Sequence, residues 1–199
     1  MRIRCWRTGL APVIDVLLRR SWPCVLLAFM LLTAGPPPAS AQSPRPALES
    51  LTGEWKGPFV SYTPEGEQVD SFTATHRYQW EGDVQVGTQV DRYPDGRVVR
   101  KTARNYVNDN GTLICEVEQP DGTIRTYRGR VSDGAIVWHR QTDAGLIETF
   151  RERVVDTPSG AEYRIDGFGV YPNEGGSTSY LQFVGRYRAG HQDVSKGRE

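Results

Sequence analysis

The chain has 199 residues, and its 24 basic and 24 acidic side chains cancel. Residues 1–41, which we predict to be a removable leader, hold five arginines and one aspartate, so the remainder carries 19 basic and 23 acidic residues, a net charge of −4. This balance argues against nucleic acid and an anionic membrane surface as default partners. Only Cys115 lies beyond the leader, so no internal disulfide can form and the fold must depend on its core.

An arginine-rich start followed by a short apolar run predicts a signal peptide over residues 1–41. Residues 24–34 (CVLLAFMLLTA) are apolar but too few to span a bilayer. Residues 39–41 (ASA) supply the small side chains that a signal peptidase accepts. We therefore expect an exported protein, periplasmic or secreted, that starts at Gln42, with an uncleaved anchor as the alternative. Two adjacent arginines in the leader leave the general and the twin-arginine export routes open.

Residues 42–50 (QSPRPALES) read as a proline-rich lead-in linker before the folded domain. At the other end, residues 189–199 have no apolar pattern and are expected to form a flexible tail. The folded domain is therefore expected to span 51–188.

Glycine-containing turns recur through this domain. Asp-Gly and Asn-Gly pairs tolerate the positive φ that tight hairpins need, and proline presets the corner before them. Such turns occur at nine places, namely 64–66, 81–83, 94–96, 108–111, 120–122, 132–134, 143–145, 158–160 and 173–176. Nine hairpin turns imply ten antiparallel strands in sequential order.

The segments between the turns have the length and composition of strands, and none shows helical periodicity over more than a turn. We place the ten strands at 53–62, 68–80, 84–93, 97–107, 112–119, 123–131, 135–142, 146–155, 161–171 and 178–188. A sheet of this size with short connections tends to curl shut rather than leave two free edges. The sequence therefore predicts an all-β fold, a ten-stranded antiparallel up-and-down (meander) β-barrel without lid helices.

Several predicted strands alternate between an apolar and a polar side. In strand 84–93, for example, Val86 and Val90 lie opposite Gln85 and Asp91. We expect the apolar side to face the interior and the polar side to face solvent. That expectation places charged residues on the outer wall, which argues against a barrel embedded in an outer membrane.

Strand 97–107 breaks this rule, because Val99 and Ala103 share a side with Lys101 and Asn105. Two interpretations remain open. The polar residues belong to an exposed rim or bulge, or they line a cavity in which water or a ligand pairs with them.

The two ends of the domain resemble the calycin group, the lipocalins and fatty-acid-binding proteins. Gly53 and Trp55 form a G-x-W at the head of the first strand, and Arg186 and Arg188 lie in the last strand. The resemblance implies that Trp55 packs across the closed end of a barrel with one of these arginines over its ring. It further implies a small hydrophobic or amphipathic ligand in the interior, bound without catalysis. The short segment between the first two strands and the adjacency of Arg186 and Tyr187 depart from fatty-acid-binding proteins, so that specificity is not implied.

A set of aromatic side chains and one histidine are the predicted ligand-binding residues. They lie on the apolar sides of strands one, two and eight: Phe59, Phe72, His76, Tyr78, Trp80 and Phe150.

His76 also supports an alternative function. The residue lies among aromatic side chains, where a histidine can bind haem or take part in catalysis. No zinc-ligand spacing and no recognised nucleophile or phosphate-loop motif accompanies it. We therefore expect no metal and no cofactor, with haem-binding or enzymatic use of His76 as the alternative and an envelope structural or interaction module as a third.

Three further residues receive ordinary structural interpretations. Glu148 and Glu152 share one side of strand eight, which indicates a solvated face. Cys115 lies on an apolar side and is expected to be a small core residue rather than a reactive thiol.

Overall fold

The computed structural model describes residues 43–190 and shows a closed ten-stranded antiparallel barrel. One short helix, α1 (Pro44–Ser50), precedes the barrel. The strands are β1 (Gly53–Tyr62), β2 (Gln68–Glu81), β3 (Val84–Arg92), β4 (Val98–Val107), β5 (Leu113–Glu118), β6 (Ile124–Ser132), β7 (Ala135–Gln141), β8 (Ile147–Thr157), β9 (Gly160–Pro172) and β10 (Thr178–Ala189). Each strand pairs with its neighbours in sequence, and β1 pairs with β10 to close the ring. The predicted meander barrel is confirmed.

The turns form where the glycines predict them. Glycines with positive φ occur at all nine connections, for example Gly82 at 61° and Gly134 at 69°. The chain reverses at two ends of the barrel. The end with connections 63–67, 93–97, 119–123, 142–146 and 173–177 is called the uncapped end here, and the opposite end, where α1 lies, is called the capped end.

The segment expected to be a linker is instead helix α1. Pro44 lies in its first turn, where a missing backbone N–H costs nothing, and its far end leads directly into β1. The helix buries Ala47 and Leu48, and Leu51 just after it is 1 % exposed. Burial of these apolar side chains therefore explains why the segment is a helix, although its prolines led the sequence analysis to predict a linker.

Side-chain hydrogen bonds attach α1 to the barrel. Gln85 Nε2 donates to the Leu48 carbonyl at 2.6 Å, and Trp55 Nε1 donates to the Leu51 carbonyl at 2.8 Å. The Arg45 guanidinium lies over the Trp80 ring, 4.1 Å from its centroid.

Because the ring of strands closes within residues 53–189 and α1 starts at Pro44, a chain that begins at Gln42 contains the whole described fold.

The predicted arrangement of Trp55 is only partly correct. Gly53 starts β1 with φ 116°, and Trp55 is buried at the capped end with its ring 5.8 Å from that of Tyr163. Arg186 does not lie over Trp55, because it points outward and its Nη2 binds Asp166 Oδ1 at 2.5 Å. Arg188 is exposed on the same outer face. The helix α1 and its Leu51 junction, rather than a last-strand arginine, therefore cover this end.

Strand β3 faces opposite to the prediction. Gln85 and Asp91 are both 0 % exposed and point into the barrel, whereas Val86 and Val90 lie on the outer side. Alternation therefore identified the two sides correctly but assigned the wrong one to the interior.

Among residues 43–190 no helix is long and apolar enough to cross a membrane. The predicted signal peptide lies outside the described residues, as does the predicted tail from residue 191 onward.

Candidate functional site

A cavity of about 200 Å³ lies inside the barrel. Its wall comes from strands on both sides of the ring, and it extends toward the uncapped end, where Gln119 and Arg125 contribute to its lining. At the capped end the space is filled, because Trp55, Tyr163 and Leu51 pack there in the core. The cavity therefore occupies the half of the interior that α1 does not cover.

One wall of the cavity is aromatic. Phe59 stacks on Phe72 with ring centroids 5.0 Å apart, and Phe183 stacks on Phe150 at 5.3 Å. Phe59 and Phe183 join these pairs at 5.9 Å. Of the predicted ligand-binding residues, Phe59, Phe72, His76, Tyr78 and Phe150 line the cavity.

Trp80, the remaining predicted ligand-binding residue, does not line the cavity. It lies on β2 near the capped end, under the Arg45 guanidinium of α1. Its position explains why sequence reasoning grouped it with Tyr78: both are on the inner side of β2, but the strand extends beyond the cavity.

His76 lies at the deep end of the cavity and is 4 % exposed. Tyrosine rings surround it, with centroid distances of 4.7 Å to Tyr187, 5.7 Å to Tyr163 and 6.1 Å to Tyr78. Neither imidazole nitrogen has a hydrogen-bond partner among the described residues. Burial lowers the pKa of His76 to about 4, since the charged form loses its hydration, and the Asp91 carboxylate opposes this only in part. The imidazole is therefore neutral at physiological pH.

The space that Tyr78 occupies depends on a glycine. A Cβ on Gly87 of the adjacent β3 would lie 2.6 Å from the Tyr78 ring. The absence of a side chain at Gly87 therefore allows the phenol to lie flat against the barrel wall beside His76.

A polar wall faces the aromatic one. On β3 and β4, Asp91 accepts hydrogen bonds from Lys101 Nζ and from Gln89 Nε2, both at 2.8 Å. Asn105 Nδ2 donates to Gln85 Oε1 at 3.0 Å, while Asn105 Oδ1 has no partner in the part of the chain that the structure describes. The cavity interpretation of strand 97–107 is therefore correct, because Lys101 and Asn105 both line the cavity.

A second polar cluster surrounds Glu148 near the uncapped end. Glu148 is 3 % exposed and accepts hydrogen bonds from Tyr127 at 2.8 Å, Tyr171 at 3.0 Å and Arg140 at 3.0 Å. Arg125 Nη1 lies 3.9 Å from its carboxylate. The prediction that Glu148 lies on a solvated face is wrong, because the inner side of β8 carries it.

Glu152 lies four residues after Glu148 on β8, nearer the capped end. It also lines the cavity and does not lie on the outer surface. Burial raises its pKa to about 7, and the neighbouring Trp138 and Tyr163 side chains oppose that shift only in part. No basic side chain of the described residues forms a salt bridge with it. The cavity therefore contains a carboxyl group that keeps its proton to a higher pH than an exposed glutamate does.

Cys115 is on the inner side of β5 and contributes to the lining. Burial raises the pKa of its thiol, with a further contribution from the Glu152 carboxylate. A thiol held in its neutral form is a poor nucleophile, which agrees with the expectation of a small, unreactive core residue.

Residues 43–190 contain no group of three or more His, Cys, Asp or Glu side chains arranged to bind a metal ion.

Sequence reasoning missed most of the polar lining. The lining residues that were missed are Gln89, Glu148 and Glu152, and the buried Gln85 and Asp91 on the inner side of β3 were missed with them. A signal for Glu148 and Glu152 is present on β8, because they share a side with Phe150, which was placed inside. On β3 alternation alone does not show which side faces inward.

No family model and no curated protein matches the chain. Among solved structures, a redesigned β-barrel is similar over 70 % of this chain and 94 % of its own, with 12 % identity and a TM-score of 0.35. A protein of unknown function from the DUF3598 family of Nostoc punctiforme is similar over 74 % of this chain and 100 % of its own, with 8 % identity and a TM-score of 0.24. These likenesses are too distant to carry an argument about function.

Proposed function

We propose that the barrel binds a small amphipathic molecule in its interior cavity and does no chemistry on it. The observation that carries this proposal is the combination of an aromatic wall with buried polar atoms that have no hydrogen-bond partner within residues 43–190. The polar atoms are the two His76 nitrogens, the Tyr187 hydroxyl and Asn105 Oδ1. Buried polar groups are costly when unpaired, and a bound molecule that pairs with them removes that cost.

The volume limits the size of the molecule. A cavity of roughly 150 Å³ in another protein accommodates benzene. The cavity here, about 200 Å³, therefore suits a single substituted ring or a short branched chain rather than a long acyl chain.

The charges indicate which end of the molecule is polar. At neutral pH the deep end presents an uncharged imidazole, because burial lowers the pKa of His76 to about 4, and an uncharged Tyr187, because burial raises its pKa. The pairs Asp91–Lys101 and Glu148–Arg140 are already matched, and burial favours the uncharged form of the Glu152 carboxyl by raising its pKa. We therefore infer a ligand that is neutral overall, with hydrogen-bonding groups directed at His76 and an apolar body against Phe59 and Phe150.

Thermal unfolding with a panel of single-ring compounds tests this proposal. Phenol and indole are expected to raise the midpoint temperature in a saturable way, and benzoate to have little effect. The variant Val117→Trp fills the cavity from β5 and is expected to abolish the shift. The control variant Val86→Trp adds the same side chain to the outer wall and should keep it. If no compound stabilises the protein, or if both variants respond equally, interior binding is refuted.

The lipocalin-like character and export of the protein belong to the same proposal. The G-x-W at Gly53 and the barrel fold support the resemblance, and the leader-like residues 1–41 support export. A barrel that carries a small molecule outside the cytoplasm accounts for these features together. Native mass spectrometry of the protein recovered from its own host tests it by detecting a co-purified molecule.

A second candidate function is acid–base catalysis in the same cavity. Its specific support is Glu152, a carboxyl whose pKa is raised to about 7 by burial, which matches the protonation range of a general base. A nitrobenzisoxazole probe, which ring-opens when a base removes its proton, tests for such reactivity. Glu152→Gln should abolish the reaction if the candidate is correct, whereas a rate equal to that in buffer excludes it.

Haem is a poorer fit. The three tyrosine rings within 6.1 Å of the His76 ring crowd its surroundings, and the cavity of about 200 Å³ is small for a macrocycle. We therefore do not propose that His76 ligates haem; absence of a Soret band after incubation with haem is the expected result.

A further inference from the structure

The outer surface of strands β6–β10 is strongly basic, although the chain beyond the leader is acidic overall. Outward-facing positions on these five strands carry seven arginines, which we call the arginine face: Arg128, Arg130, Arg151, Arg153, Arg164, Arg186 and Arg188. The same positions carry two acidic side chains, Glu162 and Asp166. The net charge of −4 therefore conceals a segregated distribution.

The register places arginines directly opposite one another. Arg153 on β8 is opposite Arg164 on β9, and Arg164 is opposite Arg186 on β10. Toward the capped end, Arg188 is opposite Lys56 on β1 and Glu162 on β9. Arg151 on β8 is opposite Asp166 on β9. Like charges directly across a ladder destabilise a sheet, so an anion lying against the row Arg153, Arg164 and Arg186 would lower the cost of these two pairs.

The protein itself neutralises only part of this charge. Arg164 binds Glu162 at 2.6 Å and Arg186 binds Asp166 at 2.5 Å. Within residues 43–190 the other five arginines of the face form no salt bridge. Guanidinium groups in this state are available for the paired hydrogen bonds that phosphate oxygens accept.

Exposed aromatic residues lie at the margin of the arginine face nearest the uncapped end. Phe168 on β9 is 48 % exposed, and Tyr180 on β10 is 55 % exposed. Val170 is opposite both Tyr180 and Ile147, so the apolar positions form a continuous patch. Aromatic side chains beside cationic ones are typical of surfaces that rest in the headgroup region of a bilayer.

We propose that the arginine face docks the barrel on the anionic headgroup surface of a lipid membrane. The arginines bind lipid phosphates while Phe168 and Tyr180 enter the interface beside them. Nucleic acid fits the face less well, because the outer wall of a barrel is convex and its aromatic residues lie at one margin rather than along a strand-binding groove. The proposal does not depend on what occupies the cavity.

Vesicle co-sedimentation of the chain from Gln42 tests the proposal. The protein should bind vesicles of phosphatidylcholine with phosphatidylglycerol and not vesicles of phosphatidylcholine alone. Binding should weaken on going from low salt to about 0.15 M salt, where the Debye length is about 8 Å. The triple variant Arg128→Gln, Arg151→Gln, Arg153→Gln should reduce the partition coefficient about tenfold or more.

A matched control removes the same charge from the opposite side of the barrel. Arg92, Arg100 and Arg104 are outward-facing on β3 and β4, and the triple glutamine variant there should bind vesicles like the wild type. Equal losses in both triple variants would show that only net charge matters and overturn the proposal. Absence of binding to anionic vesicles would also overturn it, as would preferential binding of a labelled oligonucleotide by the arginine face.

Discussion

The two walls of the barrel interior obtain their stability in different ways. The aromatic wall, built around Phe59, Phe150 and Phe183, gains free energy from apolar area removed from water. The polar wall on β3 and β4 buries Asp91 and Lys101, and it is stable only because these charges are paired. His76 lies between the walls with no partner among the described residues. Binding capacity therefore arises where apolar burial and polar pairing are both incomplete.

The largest predicted effect concerns the polar wall. Asp91→Ala leaves the Lys101 ammonium without its partner, and the free energy of unfolding should fall by about 3–5 kcal/mol. Urea unfolding followed by tryptophan fluorescence measures the change.

The double variant Asp91→Asn with Lys101→Met is the control for that prediction. It removes both charges and keeps side-chain volume, so its stability should lie within about 1–2 kcal/mol of the wild type or above it. A double variant as unstable as the single one would show that packing, and not charge pairing, holds this wall.

The second prediction uses the two buried titratable groups at the deep end. The folded pKa of His76, about 4, lies below its ordinary value of 6.5, so His76 should make stability rise with pH between 4 and 6.5. The folded pKa of Glu152, about 7, lies above its ordinary value of 4.5, so Glu152 should make stability fall as pH rises from 4.5 to 7. The two slopes oppose each other where the ranges overlap.

Single variants should separate these slopes. Glu152→Gln exposes the His76 dependence, and stability should rise by up to about 3 kcal/mol between pH 4 and pH 6.5. His76→Gln exposes the opposite trend between pH 4.5 and pH 7. Identical pH profiles for the two variants would contradict the assigned shifts.

A smaller effect is expected in the aromatic wall. Phe59→Ala removes a ring that contacts Phe72 and Phe183, and the free energy of unfolding should fall by about 2–3 kcal/mol. This loss is smaller than for a phenylalanine in a filled core, because the Phe59 ring already borders a cavity. The enlarged cavity should also accept larger aromatic compounds in thermal-shift assays. Unchanged ligand size preference would place the binding region elsewhere.

The smallest effect is expected away from both walls, at the capped end. Arg45→Ala removes the guanidinium over Trp80, which should cost about 0.5–1 kcal/mol because the site is partly exposed. Ligand affinity in the cavity should not change, since Trp80 does not line it. A loss of affinity in this variant would mean that α1 controls access to the cavity.

Local turn chemistry made the barrel predictable from the sequence. Each glycine turn bounds one strand, so the strand count and order follow without any knowledge of packing. The polar wall was not predictable in the same way, because alternation shows which residues share a side but not which side faces inward. On β3, Gly87 faces the interior to make room for Tyr78, and this places Gln85 and Asp91 inside with it.

The aromatic part of the candidate site could be predicted for a related reason. Phe59 and Phe72 are apolar on strands whose polar sides are unambiguous, so the interior side was clear. On β8 the two sides were not separated correctly, because Glu148 and Glu152 share the side of Phe150 and only Phe150 was placed inside. Helix α1 was missed because seven residues give only two turns, too few for a periodic signal. Its order depends on contacts with Gln85 and Trp55, which are distant in the sequence.

Interior binding predicts a change at the His76 ring when ligand is added. In an NMR titration at neutral pH with indole, the imidazole resonances of His76 should start as those of a neutral ring and shift in a saturable way. Resonances of Ala103 and Val117 on the polar side of the cavity should move with the same dissociation constant. A titration in which only outward-facing residues shift, while His76 stays unchanged, would contradict interior binding.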